Sequence, residues 1–380
     1  MVSAISVCGK NRNVQNLHRT WADGKGKSRT AYEYFFNEAR WDKDELAKCN
    51  VNAFLKTLNI RKGARILLII DDTFVEKEGT ETAGVGKFHD GKGWLWGNNF
   101  VTSVFQYRDL FIPYKARMYI REENAQRDNI EFKPKPQIAF DEIIKPLHIP
   151  KGVDLVVVFD SWYFSAWLIN GCRELTYHVI CELKCDKLIT SDDGSTMQVR
   201  EYVKEFSKKA YKKITIKVRG KKIIYYTIER GVELEGIGKV KLVISKKDVK
   251  DEKVKYYIST DIKHSLREIL KIYENRWNIE TTHREGNQKL GFKEYQMRDK
   301  EDIERFIQLV FTVWTLFLVL EVKGEIKPGE KVRPLSEMVT GIQDSSFFDL
   351  FIEVLKRMGM PLPREGEGLR SVLRDLGYGT

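Results

Sequence analysis

The stretch that decides the fold is ILLII at residues 66–70, which is followed directly by Asp71, Asp72 and Thr73. A continuous apolar run of this length, rather than an alternating one, predicts a β-strand that is covered on both faces. The same pattern returns as LVVVF at residues 155–159, followed by Asp160. Two buried strands that each end in a carboxylate predict an α/β sheet, and the ligands of such sheets collect at the strand ends.

The segments around these two strands differ in character. Residues 178–255 are rich in period-two alternation and in glycine turns, which predicts antiparallel hairpins. Helical patterns precede the first strand and return at about 263–289 and 301–322. We therefore expect a mixed α/β fold built from four regions. These are a helical N-terminal region at 1–60, a core at 61–177 and 256–325, a β-rich insertion at 178–255, and a helical C-terminal region at 326–380.

Composition narrows the class of protein. The chain has 380 residues, of which 42% are hydrophobic, and this excludes a mainly disordered protein. The formal net charge of +11 favours a polyanionic partner such as nucleic acid, although a basic surface without a partner gives the same value. Five cysteines without metal-ligand spacing argue against a disulfide framework and a zinc site. We expect a reduced, intracellular protein, with the apolar segment 306–320 as a core helix and not a membrane span.

Three carboxylates are candidates for chemistry. Asp72 and Asp160 follow the two buried strands, and Glu280 lies in a predicted helix four residues after Arg276. At about 100° per residue, Arg276, Glu280 and Asn287 share one sector of that helix, beside its apolar stripe. Three acids held together in a dry site need a cation, and oxygen ligands select Mg²⁺ or Mn²⁺. Alternatively, the aspartates cap strand ends and Glu280 merely pairs with Arg276.

These residues resemble a known family. Asp72-Thr73, Phe159-Asp160 and the pattern Tyr273-x₂-Arg276-x₃-Glu280 are similar to the Asp-Asp-Glu (DDE) transposases of bacterial and archaeal insertion sequences. The resemblance covers roughly residues 60–325. More narrowly, the chain resembles the branch of this family that has a Tyr-Arg-Glu-Lys signature and a β-rich insertion.

The resemblance implies a ribonuclease-H-like core that cuts double-stranded DNA at the element ends and joins them to target DNA. Asp72, Asp160 and Glu280 would be the catalytic metal ligands for Mg²⁺ or Mn²⁺, with two ions expected, and Tyr273 and Arg276 would contact phosphates. It further implies a homodimer on DNA, in the cytoplasm and on the nucleoid of a prokaryotic cell, with no membrane. Residues 1–60 would be the candidate DNA-end-binding region.

One position departs from the family signature, and the choice of the first catalytic aspartate is open. The signature expects Lys seven residues after Glu280, where this chain has Asn287, and Lys289 lies nearby. Either residue is a candidate DNA contact. Asp71 competes with Asp72 for the first catalytic position, and we choose Asp72 because the family places the aspartate directly before threonine. Neighbouring strand residues face opposite ways, so both cannot bind one ion without a bulge.

A basic cluster in the insertion predicts a further DNA contact. Lysine dominates it and suits phosphate contacts better than base recognition, although a solvated face is the alternative. Its members are Lys208, Lys209, Lys212, Lys213, Lys217, Arg219, Lys221 and Lys222. Two other functions remain open at this point, namely a DNA nuclease without strand transfer and an inactive DNA-binding remnant of a transposase.

Overall fold

The computed structural model describes residues 4, 5, 8, 11–20, 28–79, 81–89, 93–127, 129–323 and 332–340. The chain starts with the helices α1 (Val14–Arg19), α2 (Arg29–Asn37) and α3 (Lys43–Thr57). Helix α3 begins after Asp42, because the Asp42 carboxylate accepts hydrogen bonds from the N–H groups of the first turn. Of the expected C-terminal helical region, residues 335–340 are helical, and most of the remainder lies outside the described residues.

A mixed sheet forms the centre of the molecule, and helices flank it, as predicted from the sequence. Along the sheet the strand order is β2-β3-β1-β5-β6-β12-β11-β10-β7-β8, with β4 paired to β3 and β9 paired to β10. The strands are β1 (Arg65–Glu76), β2 (Gly86–His89), β3 (Trp94–Tyr107), β4 (Leu110–Tyr119), β5 (Asp154–Phe159), β6 (His178–Leu183), β7 (Leu188–Thr190), β8 (Thr196–Gln198), β9 (Lys212–Val218), β10 (Lys221–Leu234), β11 (Gly238–Lys246) and β12 (Lys255–Ser259).

The remaining helices lie between and after these strands. They are α4 (Glu122–Arg127), α5 (Lys135–Ile138), which continues as a π-helical turn (Ala139–Ile144), α6 (Ala166–Glu174), α7 (Val199–Tyr202), α8 (Leu266–Glu274), α9 (Trp277–Leu290) and α10 (Lys300–Lys323). Among the described helices, α10 alone is long and apolar enough to cross a membrane, yet most of it is buried inside the protein. It is therefore a core helix, as expected.

Three parallel strands position the candidate site. Strand β5 runs parallel to both β1 and β6, with Ile69 opposite Val158 and Val158 opposite Ile180. The prediction that β1 ends in Asp71-Asp72-Thr73 is wrong. The strand continues to Glu76, because the antiparallel neighbour β3 keeps pairing with it along its whole length.

The two faces of the sheet pack against different helices. Leu68 and Ile70 belong to the same buried cluster as residues of α3 and α10. Leu67 and Ile69 point the other way, into a second cluster that includes Leu270 of α8 and Ile279 of α9. Side chains alternate along a strand, so the sheet is buried on both faces, as its continuous apolar runs predict.

Two further findings concern the insertion and the helix that follows it. Strands β7–β11 extend the central sheet, and β9 and β10 form a hairpin whose turn, Arg219-Gly220, has positive φ angles of 50° and 76°. The single helix expected at about 263–289 is in fact two helices. Helix α8 ends at Glu274 and α9 begins at Trp277, with Arg276 in the break.

Candidate active site

Asp71 and Asp160 extend one face of the parallel strands. Ile69 lies opposite Val158 in the register of β1 and β5, and each aspartate comes two residues later. Because side chains alternate, both carboxylates continue the face of Ile69 and Val158, which is the face covered by α8 and α9. Asp160 helps to raise the pKa of Asp71, which agrees with this placement.

Asp72 faces the opposite side of β1. Its carboxylate accepts hydrogen bonds from Lys135 Nζ at 2.7 Å and from Asn99 Nδ2 at 3.2 Å. Lys135 begins the helix α5, so the ion pair fastens this helix to the middle of β1. Asp72 still acts electrostatically on Asp160, and it therefore lies near the site although its hydrogen bonds lead elsewhere.

Arg276 links Glu280 to Asp71. The guanidinium donates to the Asp71 carboxylate through Nη1 and to Glu280 Oε1 through Nη2, at 3.3 Å in the second case. Arg276 stands in the break between α8 and α9, so its side chain and the first turn of α9 approach β1 together. Its Nε atom is buried and has no hydrogen-bond partner among the described residues, which leaves one donor unused.

Burial disturbs the titration of all three acids, and nearby carboxylates add to the effect at Asp71 and Asp160. Burial raises the pKa of Asp71 to about 7, against the opposing effect of Arg276, and Asp160 and Asp72 add to the rise. Burial also raises the pKa values of Asp160 and Glu280, again against Arg276. Ionised carboxylates at this place are thus costly without a further cation.

The donor set fits a hard divalent cation in its chemistry. Asp71 and Asp160 would supply oxygen ligands from neighbouring strands, and their raised pKa values indicate acidic groups short of positive charge. No group of three or more His, Cys, Asp or Glu side chains is already arranged to hold an ion in the described part of the chain. Arg276 instead pairs with both Asp71 and Glu280.

A second contact fixes the backbone beside Asp71. Thr102 on β3 donates its hydroxyl to the Asp71 carbonyl oxygen at 3.0 Å, and the same Oγ1 lies 2.7 Å from His283 Nε2. Burial lowers the pKa of His283 to about 4, so the imidazole is neutral at physiological pH. Because the Thr102 hydroxyl donates to Asp71, the contact requires the tautomer that carries its proton on Nε2. His283 therefore supports Thr102, and through it the backbone of Asp71.

The remaining predicted residues of α8 and α9 are Tyr273, Asn287 and Lys289. Tyr273 is buried, and its hydroxyl donates to Glu182 at 2.8 Å. Asn287 makes no side-chain hydrogen bond among the described residues, and Lys289 acts electrostatically on Glu285 of its own helix. Among the described residues, no side-chain hydrogen bond or ion pair joins Asn287 or Lys289 to Asp71, Asp160 or Glu280.

The basic cluster forms an exposed edge that ends near the site. Lys212, Lys213 and Lys217 lie on β9, which pairs with β10 and lies off the main path of the sheet. At the hairpin turn, Arg219 lies 4.0 Å from Glu274 of α8 and also acts electrostatically on Glu280. Lys208 and Lys209 precede β9 in an exposed turn.

Sequence reasoning missed Glu182. It lies on β6 two residues after Ile180, so it continues the same face as Asp160 on the neighbouring strand. A single acidic residue in the otherwise apolar strand His178–Leu183 was the available signal. A cleft of about 390 Å³ was also missed, and Asp72, Trp94 and Trp162 are part of its lining.

Comparison with known families places the carboxylates inside two matched regions. A family model described as DDE superfamily endonuclease matches residues 1–214, which is more than half of the chain. A second model, described as transposase DDE domain, matches residues 138–316. Superfamily members of this kind generally use divalent metals. No curated protein matches the chain.

Proposed function

Because this chain belongs to the DDE superfamily endonucleases, we propose that it is an insertion-sequence transposase that cuts DNA at the ends of its element and joins them to target DNA. The observation that carries this proposal is the pair Asp71 and Asp160, placed side by side on parallel strands, with Glu280 tied to Asp71 through Arg276. Membership of the branch with the Tyr-Arg-Glu-Lys signature stays a prediction, since Asn287 replaces its lysine.

We assign Asp71, Asp160 and Glu280 as the acids that would hold the cations. The sequence-based choice of Asp72 stays a prediction, and the hydrogen bonds of Asp72 to Lys135 and Asn99 argue for a role in fastening α5. Asp71 is supported over Asp72 because it shares a face with Asp160 and contacts Arg276. The two choices are separable, since Asp71→Asn and Asp72→Asn should differ strongly in cleavage.

The chemistry of the site follows from what its side chains hold. Bound divalent ions, with two expected, supply an activated water and stabilise the leaving oxygen in phosphodiester displacement. Arg276 keeps Asp71 and Glu280 together in the free protein and has one buried donor without a partner. A DNA phosphate that enters the site would take up this donor. Arg276 would then orient the scissile phosphate while releasing the carboxylates to the cations.

DNA would reach the site along the basic cluster. Its lysines are exposed on one edge of the insertion, and Arg219 at the hairpin turn lies beside the α8–α9 break. A duplex held on β9 would thus pass close to Glu280. Handling two element ends calls for two copies of the chain, so we expect a homodimer on DNA, in the cytoplasm and associated with the nucleoid.

The test is cleavage of a DNA fragment that carries the inverted repeats flanking the gene. We expect nicking with Mg²⁺ or Mn²⁺ and none with EDTA. Asp160→Asn and Glu280→Gln should abolish nicking while duplex binding survives, because each removes a ligand charge and keeps the side-chain shape. Asp192→Asn, an exposed aspartate between β7 and β8, and Glu235→Gln, an exposed glutamate between β10 and β11, are the matched controls.

Pre-cut ends with free 3′-hydroxyls then separate transposase from nuclease. A transposase joins them to a plasmid, whereas a nuclease without strand transfer leaves them unjoined. Full nicking by Asp160→Asn protein, or equal nicking in EDTA, would overturn the proposed function.

A further inference from the structure

Glu182 extends the row of carboxylates to a third strand. In the parallel register Val158 lies opposite Ile180, so Asp160 and Glu182, two residues further on, continue the same face of neighbouring strands. Burial raises the pKa of Asp160, and Glu182 is among the groups that add to the rise. The Glu182 side chain is 24% exposed and forms an ion pair with Lys255 Nζ at 3.0 Å.

The second partner of Glu182 is Tyr273, which lies at the end of α8. The Tyr273 hydroxyl donates to Glu182 Oε2 at 2.8 Å. The Tyr273 ring also packs on Tyr257, at 4.4 Å between ring centroids, and Tyr257 is the cross-strand neighbour of Glu182 on β12. The sheet therefore holds Tyr273 at both its hydroxyl and its ring face.

Tyr273 in turn fixes Arg276. The main-chain N–H of Arg276 donates to the Tyr273 carbonyl oxygen at 2.9 Å, and the guanidinium lies 5.9 Å from the Tyr273 ring centroid. Helix α8 ends at Glu274 and α9 begins at Trp277, so Arg276 lies in the two-residue turn between them. The backbone hydrogen bond and the ring contact both tie it to the anchored tyrosine three residues earlier.

We propose that Glu182 is a positioning residue of the active site, which seats Tyr273 and thereby holds Arg276 against Asp71 and Glu280. The proposal rests on the proposed function for its kinetic consequences. In this arrangement the Tyr273 hydroxyl bonds to a protein carboxylate, in place of the DNA phosphate contact that the family resemblance implies. Glu182 itself touches neither the DNA nor Arg276 and acts through the tyrosine.

The kinetic test is a double-mutant cycle on DNA cleavage. Glu182→Ala and Tyr273→Phe should each lower kcat about tenfold, with the KM for DNA within about twofold of wild type, because reacting groups are displaced and not the DNA surface. The double variant should also lose about tenfold and not about a hundredfold, since both changes remove one contact. Glu182→Gln, whose amide oxygen still accepts from Tyr273, should lose at most about threefold.

The matched control is Glu229→Ala, which removes a carboxylate of β10 paired with Lys241 at 3.8 Å and should leave kcat unchanged. A hundredfold loss in the double variant would overturn the proposal, because the two residues would then act independently. A rise in KM without a fall in kcat would overturn it too, as would equal values for Glu182→Ala and Glu229→Ala.

A readout without DNA keeps this test separate from the proposed function. In ¹⁵N-arginine NMR spectra of the free protein, the Arg276 side-chain signal, assigned with Arg276→Lys, should shift in Glu182→Ala and in Tyr273→Phe. Glu182→Gln and Glu229→Ala should leave it in place. An unmoved signal in Glu182→Ala refutes the positioning role even if the wild type cleaves DNA. A shifted signal in a protein that does not cleave supports the contact and refutes only the function.

Discussion

Asp71→Asn should make the metal-free protein more stable at high pH, although it removes an ion pair. In the folded protein the pKa of Asp71 is about 7, compared with its ordinary value of 3.8. The folded form therefore keeps the proton up to about pH 7, whereas the unfolded chain releases it near pH 4. Between these values the folded state binds more protons, so the free energy of unfolding falls as the pH rises.

The size of the effect follows from the shift. At about 1.4 kcal/mol for each tenfold change in a protonation equilibrium, the change from 3.8 to about 7 corresponds to about 4 kcal/mol. Asp71→Asn removes this cost and also loses the contact of the carboxylate with Arg276. We therefore expect the difference between variant and wild type to grow by about 2 to about 4 kcal/mol between pH 4.5 and pH 8.

Urea unfolding in EDTA at both pH values measures this difference, with Asp192→Asn as the control for an exposed aspartate. Mn²⁺ at pH 8 should restore stability to the wild type and not to Asp71→Asn, because a cation binds the ionised acid. A difference between Asp71→Asn and the wild type that does not change with pH would refute the reasoning. It would mean that Asp71 is ionised in the free protein.

Two further predictions concern DNA. Changing Lys212, Lys213, Lys217 and Lys221 to alanine should weaken binding to all DNA sequences alike. It should also reduce the slope of log affinity against log salt concentration by about 0.9 per lost phosphate contact, which fluorescence anisotropy at several salt concentrations measures. A loss of affinity confined to element ends would contradict this prediction. Asn287→Lys should raise cleavage of element ends if the asparagine is a defect of this copy, and unchanged or lower cleavage in the same nicking assay would identify it as an adaptation.

The strands that carry the site were predictable because their apolar runs are continuous. Residues 66–70 and 155–159 predicted buried strands, and both lie at the centre of the sheet. The extent of β1 was not predictable, because its second half pairs with β3 residues that lie 21 to 31 positions away, from Asp71 opposite Thr102 to Glu76 opposite Gly97. The local apolar pattern therefore predicted the strand, whereas long-range pairing determines where the strand ends.

The choice between Asp71 and Asp72 needed the register. The alternation of side chains along a strand shows only that the two aspartates face opposite ways, and the family pattern favoured Asp72. The pairing of Ile69 with Val158 puts Asp71 on the face of Asp160. The register of β5 and β6 places Glu182 on this face too, and its only local signal was a single acidic residue within β6. The helical-wheel argument for Arg276 and Glu280 assumed one unbroken helix. The two residues still meet because Arg276 is the N-cap of α9 and Glu280 lies four residues later in the same helix.

The most direct test of the central claim is anomalous diffraction from crystals grown with Mn²⁺ and DNA carrying the element ends. We expect manganese signal between Asp71 and Asp160, with Glu280 released from Arg276 and Arg276 on the scissile phosphate. Manganese bound at Asp72 in place of Lys135, or no manganese at these carboxylates while DNA occupies the basic cluster, would contradict the site proposed here.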